Sequence, residues 1–175
     1  PNGVDLDYFT NETKISEQLD NIKKPIIGFL GILQDRIDID ILKTLAKNNP
    51  EKSLVLAGPV WQNFPKNELN SFDNVHFLGP IPYTEIPALY NGFDVGIIPY
   101  KVNEFTKSID PMKVYEYLAA RLPIVTTPVA GLEKFADYVN VATTPEQFNE
   151  FVNQTIMDRK LNSSSEILKD HTWQL

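Results

Sequence analysis

Short apolar runs alternate with amphipathic stretches along almost the whole chain, and this alternation limits the folds that it can adopt. The runs are too short for helices, and several are bounded by a glycine. The predicted strands are Ile26–Leu30, Ser53–Ala57, Val75–Leu78, Asp94–Pro99, Pro123–Thr127 and Val139–Ala142. The predicted helices are Asp38–Lys47, Thr84–Tyr90, Pro111–Ala120, Gly131–Tyr138, Pro145–Asp158 and Ser163–Lys169. Near-continuous apolar strands between helices indicate an α/β fold with a Rossmann-like, mostly parallel sheet flanked by helices.

The domain organisation follows from length and composition. The chain has 175 residues, which is the usual size of one domain. Residues 1–24 are polar and lack a strong period, so we expect an interdomain or inlet segment there and a Rossmann-like domain over residues 25–175. Because the chain begins Pro1-Asn2-Gly3 without a methionine, we expect it to be cut from something longer. Ligands of such sheets bind at the carboxyl ends of the strands.

Composition and missing motifs exclude several classes of function. The chain has no cysteine, which excludes disulfides, thiolate metal sites and a cysteine nucleophile. Its net charge of -7 provides no basic stripe, so we expect no nucleic-acid partner. No apolar run approaches the ~20 residues of a membrane helix, and a cytoplasmic location is expected. Gly28-Phe29-Leu30-Gly31 does not fit G-x-G-x-x-G, and no P-loop pattern is present.

Candidate metal ligands are few. Asp38 and Asp40 have the D-x-D spacing that can hold a divalent cation against a diphosphate. They stand at the start of a predicted helix, where acids favourably meet the positive end of the helix dipole. His76 and His171 are too far apart in sequence for a local metal or triad motif. We therefore interpret the two acids as helix-start residues and predict no metal site.

The most informative segment is the predicted helix that begins at Pro111, with Asp110 as its N-cap. Lys113 stands in the first turn, the unfavourable end for a cation, and Glu116 is its neighbour one turn further. An anion held by Lys113 and the first-turn N–H groups would explain this order, with Glu116 accepting from a vicinal diol. Phosphate and diol together describe a nucleotide. The alternative is a solvated helix face with a contact between Lys113 and Asp110.

At these residues the sequence resembles the C-terminal, donor-binding domain of GT-B glycosyltransferases, specifically family 4-like retaining enzymes of teichuronic-acid and other bacterial surface-polysaccharide pathways. The resemblance spans almost the whole chain, including residues 1–5, 27–31, 54–58, 74–79, 90–96 and 98–99. Its most specific part is Pro111-Met112-Lys113-Val114-Tyr115-Glu116-Tyr117-Leu118-Ala119-Ala120, followed by Leu122-Pro123-Ile124-Val125. The fold implied is one half of a GT-B enzyme.

The resemblance assigns donor-binding roles to individual residues. Glu116 matches the glutamate that holds the ribose, and Lys113 matches the residue that relatives use for the diphosphate and is the expected catalytic group. Relatives often carry Gly-Arg after the first strand, where this chain has Gly31-Ile32. Arg36, slightly later, is either the substitute for that arginine or an exposed helix-start residue. The segment around Ile81 resembles the part of the family whose backbone lines the base pocket.

The contact with the donor sugar departs from the family pattern. The first glutamate of E-x7-E would fall at Ser108, so that pattern is broken. Either Glu104 or the backbone N–H groups of residues 106–109, which include Ile109, are expected to substitute.

The function implied is transfer of a sugar from a nucleotide-sugar, with UDP as the expected nucleotide, to an acceptor with retention at the anomeric carbon. The resemblance implies no cofactor or metal, because the donor is a substrate and Lys113 supplies positive charge. It also implies an N-terminal acceptor-binding domain that is missing here. An acceptor at the inner face of a membrane is compatible with the resemblance. The alternatives are a nucleotide-sugar 2-epimerase or phosphorylase of the same architecture, and a non-enzymatic nucleotide-binding module.

Overall fold

The computed structural model describes residues 4–11, 14–109 and 112–158. Its core is a sheet of six parallel strands in the order β3-β2-β1-β4-β5-β6. These strands are β1 Ile26–Leu30, β2 Ser53–Ala57, β3 Val75–Gly79, β4 Val95–Ile98, β5 Ile124–Thr126 and β6 Val139–Val141. All six predicted strands form, and the predicted α/β, Rossmann-like fold class is confirmed.

Burial explains why these segments form strands. Every residue of β1, β2, β4 and β5 is buried, as expected for a sheet covered on both faces. The two edge strands are less covered, since β3 is half-buried throughout and β6 buries only Val139. The near-continuous apolar runs in the sequence therefore mark the four central strands most clearly.

Six α-helices are described, and they connect or flank the strands. They are α1 Leu6–Thr10, α2 Ile39–Asn48, α3 Ile86–Asn91, α4 Glu104–Lys107, α5 Met112–Ala119 and α6 Pro145–Asp158. Asp38 is the N-cap of α2, because its Oδ1 accepts from the backbone N–H of Asp40 at 3.0 Å. The interpretation of Asp38 as a helix-start residue is confirmed. None of these helices is long and apolar enough to cross a membrane.

Two predicted helices are shorter than expected. Residues Tyr83–Glu85 form a 3₁₀ turn before α3, and the predicted helix Gly131–Tyr138 is only the 3₁₀ turn Leu132–Phe135. In that turn Leu132 and Phe135 are both buried, and a spacing of three suits the three residues per turn of a 3₁₀ helix. Pro111, Asp110 and the predicted helix Ser163–Lys169 lie outside the described residues.

The N-terminal segment packs onto the sheet domain. Val4 and Phe9, from the first described stretch, and Leu19, from the 3₁₀ turn Glu17–Leu19, are buried in the common core. Helix α1 contacts α3 and α5, and the ring of Tyr8 stacks on that of Tyr83 with centroids 4.4 Å apart. This segment thus reaches the end of the sheet where α3 and α5 meet.

The strand order reverses between β1 and β4, which creates a crevice at their carboxyl ends. The loop after β1 is held there by tight backbone contacts. Gly58, at φ 118°, lies so close to this loop that an added Cβ would meet the Gly31 carbonyl oxygen at 1.9 Å. A side chain at position 58 would collide with backbone, so glycine here allows the loops after β1 and β2 to lie together.

Candidate active site at the sheet switch point

The candidate site lies where β1 ends and α5 begins. Gly31 follows directly after β1, and Lys113 and Glu116 lie in the first and second turns of α5. A Cβ on Gly31 would meet Lys113 Cε at 2.7 Å and Nζ at 3.0 Å, so the bare Cα leaves the space that the lysine occupies. The structure therefore brings together two predicted site residues that are far apart in sequence.

Lys113 is held in an apolar and cationic environment. Its Nζ lies 5.4 Å from the centroid of the Phe29 ring, and the side chain is half-buried. Burial lowers the pKa of Lys113 below its ordinary value. The Glu116 carboxylate opposes this effect, and the Arg36 guanidinium adds a smaller lowering. Among the described residues, no carboxylate lies within 4.0 Å of either Lys113 or Arg36. Two cations without a paired carboxylate make this crevice a candidate site for an anion, whose charge would offset theirs.

Arg36 is fixed on the same side of the crevice. Its carbonyl accepts from the N–H of Lys101 at 2.8 Å, which joins the loop after β1 to the loop after β4. The Arg36 guanidinium lies 5.9 Å from the centroid of the Tyr100 ring. With its amide oriented by its partners, the buried Gln34 accepts from Arg36 Nε at 2.8 Å. This half-buried arginine is held by neighbours, in contrast to an exposed helix-start residue.

Glu116 is held by a tyrosine from α3. The Tyr90 hydroxyl donates to Glu116 Oε2 at 2.6 Å, and the Tyr90 side chain is fully buried. Tyr8 lies close to the same carboxylate, and its own hydroxyl is buried without a partner among the described residues. Burial, followed by Tyr83 and then Glu116, raises the pKa of Tyr8 to about 12. Both tyrosines are therefore neutral hydroxyls beside the carboxylate at physiological pH.

Three other predicted site residues lie on α4 or directly after it. Glu104 is exposed in the first turn of α4 and lies 4.0 Å from Lys107. Ser108 follows α4, and its hydroxyl donates to the Phe105 carbonyl at 2.6 Å. Ile109 is half-buried at the end of this described stretch. Within the described part of the chain, no hydrogen bond or ion pair joins these residues to Lys113 or Glu116.

The predicted base-binding residue Ile81 lies in the loop after β3. Its side chain is half-buried against the core, and the loop leads into Tyr83, whose exposed ring stacks on Tyr8. Since β3 is an edge strand, this loop stands at the side of the crevice. The roles of Ile81 and of the residues after β4 stay predictions.

Four residues of this site were missed by the sequence: Gln34, Tyr8, Tyr90 and Tyr100. Tyr90 and Tyr100 lie in apolar contexts that look like ordinary core in a sequence, and only the tertiary structure turns their polar ends towards Glu116 and Arg36. Tyr8 lies within residues 1–24, where we expected an interdomain or inlet segment. No local pattern could have assigned these contacts.

Other parts of the described chain provide less chemistry. No group of three or more His, Asp or Glu residues able to hold a metal occurs within residues 4–11, 14–109 and 112–158. A cavity of about 550 Å³ lies at the opposite edge of the sheet, lined by Lys24, Phe93, Arg121 and Leu122 among others. A smaller one of about 370 Å³ adjoins Arg36 and α4. Arg36 lines this smaller cavity, and we place the candidate site beside it, where Lys113 passes Gly31 at the end of β1.

Solved structures of other proteins superimpose on almost the whole chain. Anabaena Alr3699/HepE, crystallised in complex with UDP and glucose, superimposes with a TM-score of 0.74 at 16% identity and covers 98% of this chain and 51% of that chain. The C-terminal domain of the Francisella tularensis glycosyl transferase group 1 family protein LpcC gives a TM-score of 0.73 at 20% identity. It covers 98% of this chain and 100% of that one. These likenesses establish the fold.

The chain belongs to the family described as Glycosyl transferases group 1, which matches residues 24–158. A relative in Bacillus subtilis (strain 168), TuaH, provisionally described as a teichuronic acid biosynthesis glycosyltransferase, is 28% identical over 137 residues. That match covers 76% of this chain and 34% of TuaH, so this chain spans about a third of that relative and about half of HepE. The predicted membership of a glycosyltransferase family is confirmed.

The unpaired charge of Lys113 generates a prediction about stability. We expect Lys113→Met to raise the free energy of unfolding of the ligand-free chain by about 1 kcal/mol, because it removes a desolvated cation next to Arg36. The protonated Lys113 destabilises the native chain, because folding lowers its pKa. This destabilisation has its full value at pH values below the lowered pKa, and it disappears as the pH rises from that pKa towards 10.5.

Urea denaturation at pH 7 and above pH 10 measures the difference in the free energy of unfolding between Lys113→Met and the parent chain. Lys66→Met is the matched control, because exposed Lys66 also lies over an aromatic ring, that of Phe77 at 4.6 Å, but far from Arg36. A Lys113→Met chain less stable than the parent at pH 7 would show that the cation is compensated within the unliganded site.

Proposed function

We propose that this chain is the donor-binding domain of a glycosyltransferase that transfers a sugar from a nucleotide-sugar. One observation carries the proposal. Two cations without a paired carboxylate converge on the end of β1, and a carboxylate fixed by a tyrosine lies one helical turn away. The first feature suits a diphosphate and the second a ribose diol, and both occur at the edge of the sheet where such folds bind ligands.

The diphosphate contacts would come from Lys113, Arg36 and the first turn of α5. Gly31 contributes by leaving its Cα bare, so that Lys113 can reach the crevice. The packing of Lys113 against Phe29 and Gly31 argues against the alternative of a solvated helix face. A phosphate bound here would compensate the charge that the folded chain leaves unpaired.

The ribose and the base would extend from the diphosphate towards α3 and β3. Glu116 Oε2 accepts from Tyr90, which leaves Oε1 for the hydroxyl groups of the sugar ring. We assign the base to the loop around Ile81. We propose UDP as the nucleotide, and this choice is supported by HepE in complex with UDP and glucose and by the pneumococcal O-GlcNAc transferase GtfA in complex with UDP and GlcNAc.

The proposed reaction is donor cleavage with retention at the anomeric carbon. Negative charge grows on the diphosphate as the bond to the sugar breaks, and Lys113 together with the dipole of α5 is placed to stabilise that charge. We propose that no metal or other cofactor takes part. The transferred sugar would lie near α4, where Glu104, Ser108 and the backbone N–H of Ile109 are the available polar groups.

The acceptor would be held by a second domain upstream of residue 1. Exposed large apolar side chains are concentrated on the loops and helix ends around the carboxyl edge, as expected for a surface that another domain covers. They include Ile32, Trp61, Tyr83, Phe105 and Met112. We further propose that the enzyme works in the cytoplasm, on an acceptor at the inner face of the membrane.

Nucleotide binding is the most direct test of this proposal. We expect UDP to bind the 175-residue chain with measurable affinity, and Lys113→Met and Glu116→Gln each to weaken binding by about 1.5–3 kcal/mol, the usual value of hydrogen bonds to charged groups. Isothermal titration calorimetry measures the affinities. Lys47→Met is the control, since Lys47 is an exposed lysine in the last turn of α2, the end of that helix that leads to the amino end of β2. No binding of any nucleoside diphosphate at millimolar concentration would refute the proposal.

Sugar transfer tests the proposed role of a second, acceptor-binding domain. We expect no transfer by the 175-residue chain alone, because holding acceptor and donor in contact can lower the barrier by ~7–11 kcal/mol and one wall of the cleft is absent. Addition of the upstream domain should restore transfer, and Lys113→Ala should then reduce kcat more than it raises KM. Donor consumption with and without that domain is the measurement. Robust transfer by the short chain would place the acceptor site within it.

A further inference from the structure

The hydrogen bond between Tyr90 and Glu116 joins two elements that are distant in sequence. Tyr90 lies near the end of α3, and its side chain is fully buried. Glu116 lies on α5 and is half-buried at the crevice. The bond is short, 2.6 Å from the hydroxyl to Oε2, and it uses one of the two carboxylate oxygens. A tyrosine anchored in the core thus reaches the residue that faces the ligand.

The position of the Tyr90 hydroxyl is determined by core packing. Its ring stacks at 5.8 Å from Phe9, lies 5.9 Å from Phe93 and meets Tyr117 edge to face at 5.2 Å. Neighbours on several sides leave this ring no alternative rotamer without a cavity in the core. The donor atom is therefore stationary, and the more exposed glutamate is the partner that adapts to it.

The chemistry of the pair is asymmetric. Burial, and then the charge of Glu116, raise the pKa of Tyr90 well above its ordinary value, so the hydroxyl stays protonated and donates to the carboxylate. Because Oε2 is held by this bond, the carboxylate plane and the position of Oε1 are restricted as well. Among the described residues no partner of Oε1 is recorded. A carboxylate with one oxygen anchored and the other open is prepared to accept from a neighbouring pair of hydroxyls.

We propose that Tyr90 is a positioning residue that orients the Glu116 carboxylate towards the ribose diol of the donor, and so contributes selectivity for a ribonucleotide. This inference rests on the proposed function, in which Glu116 binds the ribose. Tyr90 itself does not contact the ligand. Its effect is to remove rotamer freedom from Glu116 before the nucleotide arrives, which lowers the entropic cost of binding.

The test compares two ligands and two matched variants. UDP and 2′,3′-dideoxy-UDP differ only in the hydroxyls that Glu116 would accept from, so the ratio of their dissociation constants measures ribose recognition. Tyr90→Phe removes the hydroxyl and keeps the ring. Tyr117→Phe is the control. It also removes a buried tyrosine hydroxyl, one that donates to the Ile97 carbonyl at 3.2 Å, from a ring that contacts the Tyr90 ring. Calorimetric titration of each chain with each ligand gives the ratios.

We expect the native chain to bind UDP at least tenfold more tightly than dideoxy-UDP. Tyr90→Phe should weaken UDP binding about five- to tenfold and leave dideoxy-UDP binding unchanged, so that most of the selectivity is lost. Tyr117→Phe should retain the native ratio. A general loss of structure would weaken both ligands equally, which distinguishes it from a positioning effect.

The roles of Glu116 and of Tyr90 can be refuted separately. If the native chain binds both ligands equally, the proposed ribose role of Glu116 is wrong. If the native chain discriminates and Tyr90→Phe discriminates equally well, only the role of Tyr90 is wrong. Should Tyr90→Phe lack a cooperative melting transition, Glu116→Asp replaces it, because it withdraws the carboxylate from Tyr90 and keeps the charge. Full selectivity in Glu116→Asp would then overturn the inference.

Discussion

The close passage of Lys113 over Gly31 is the contact on which the candidate site depends. It requires a residue without a side chain at the end of β1, and it brings the lysine chain within 3.0 Å of where a Cβ would stand. The loop that carries Gly31 is in turn held against Gly58, another position where a side chain would collide with backbone. Two glycines at the ends of adjacent strands therefore place one cation at the point where the strand order reverses.

The fold supports a local arrangement that is unfavourable in the absence of a ligand. Four fully buried strands and the helices packed on them supply the stability, while Lys113 and Arg36 remain close together without a paired carboxylate among the described residues. Such strain is common where a protein binds an anion, since the ligand supplies the missing charge. The carboxylate of Glu116 differs from these cations, because it already has a partner in the ligand-free chain, the hydroxyl of the buried Tyr90.

The sequence predicted most of the sheet and less of the site. Buried strands such as β1 and β2 are readable because burial on both faces leaves a continuous apolar run, and α6 has the predicted bounds because its pattern is long. The turn Leu132–Phe135 was predicted too long, since two apolar residues three apart fit either helix type. Lys113 and Glu116 could be predicted as neighbours because they share one helix. Tyr90, Tyr100 and Gln34 could not, because their partners are set by tertiary packing.

The central claim is that the nucleotide binds at the carboxyl edge of the sheet, beside Gly31 and α5. Titration of the ¹⁵N-labelled chain with UDP, followed by amide chemical shifts, tests the location directly because it reports on both edges at once. We expect the largest shifts at Gly31 and in the first turns of α5, with smaller ones around Ile81. Shifts centred instead on Phe93, Arg121 and Leu122, which line the cavity of about 550 Å³ at the opposite edge, would contradict it.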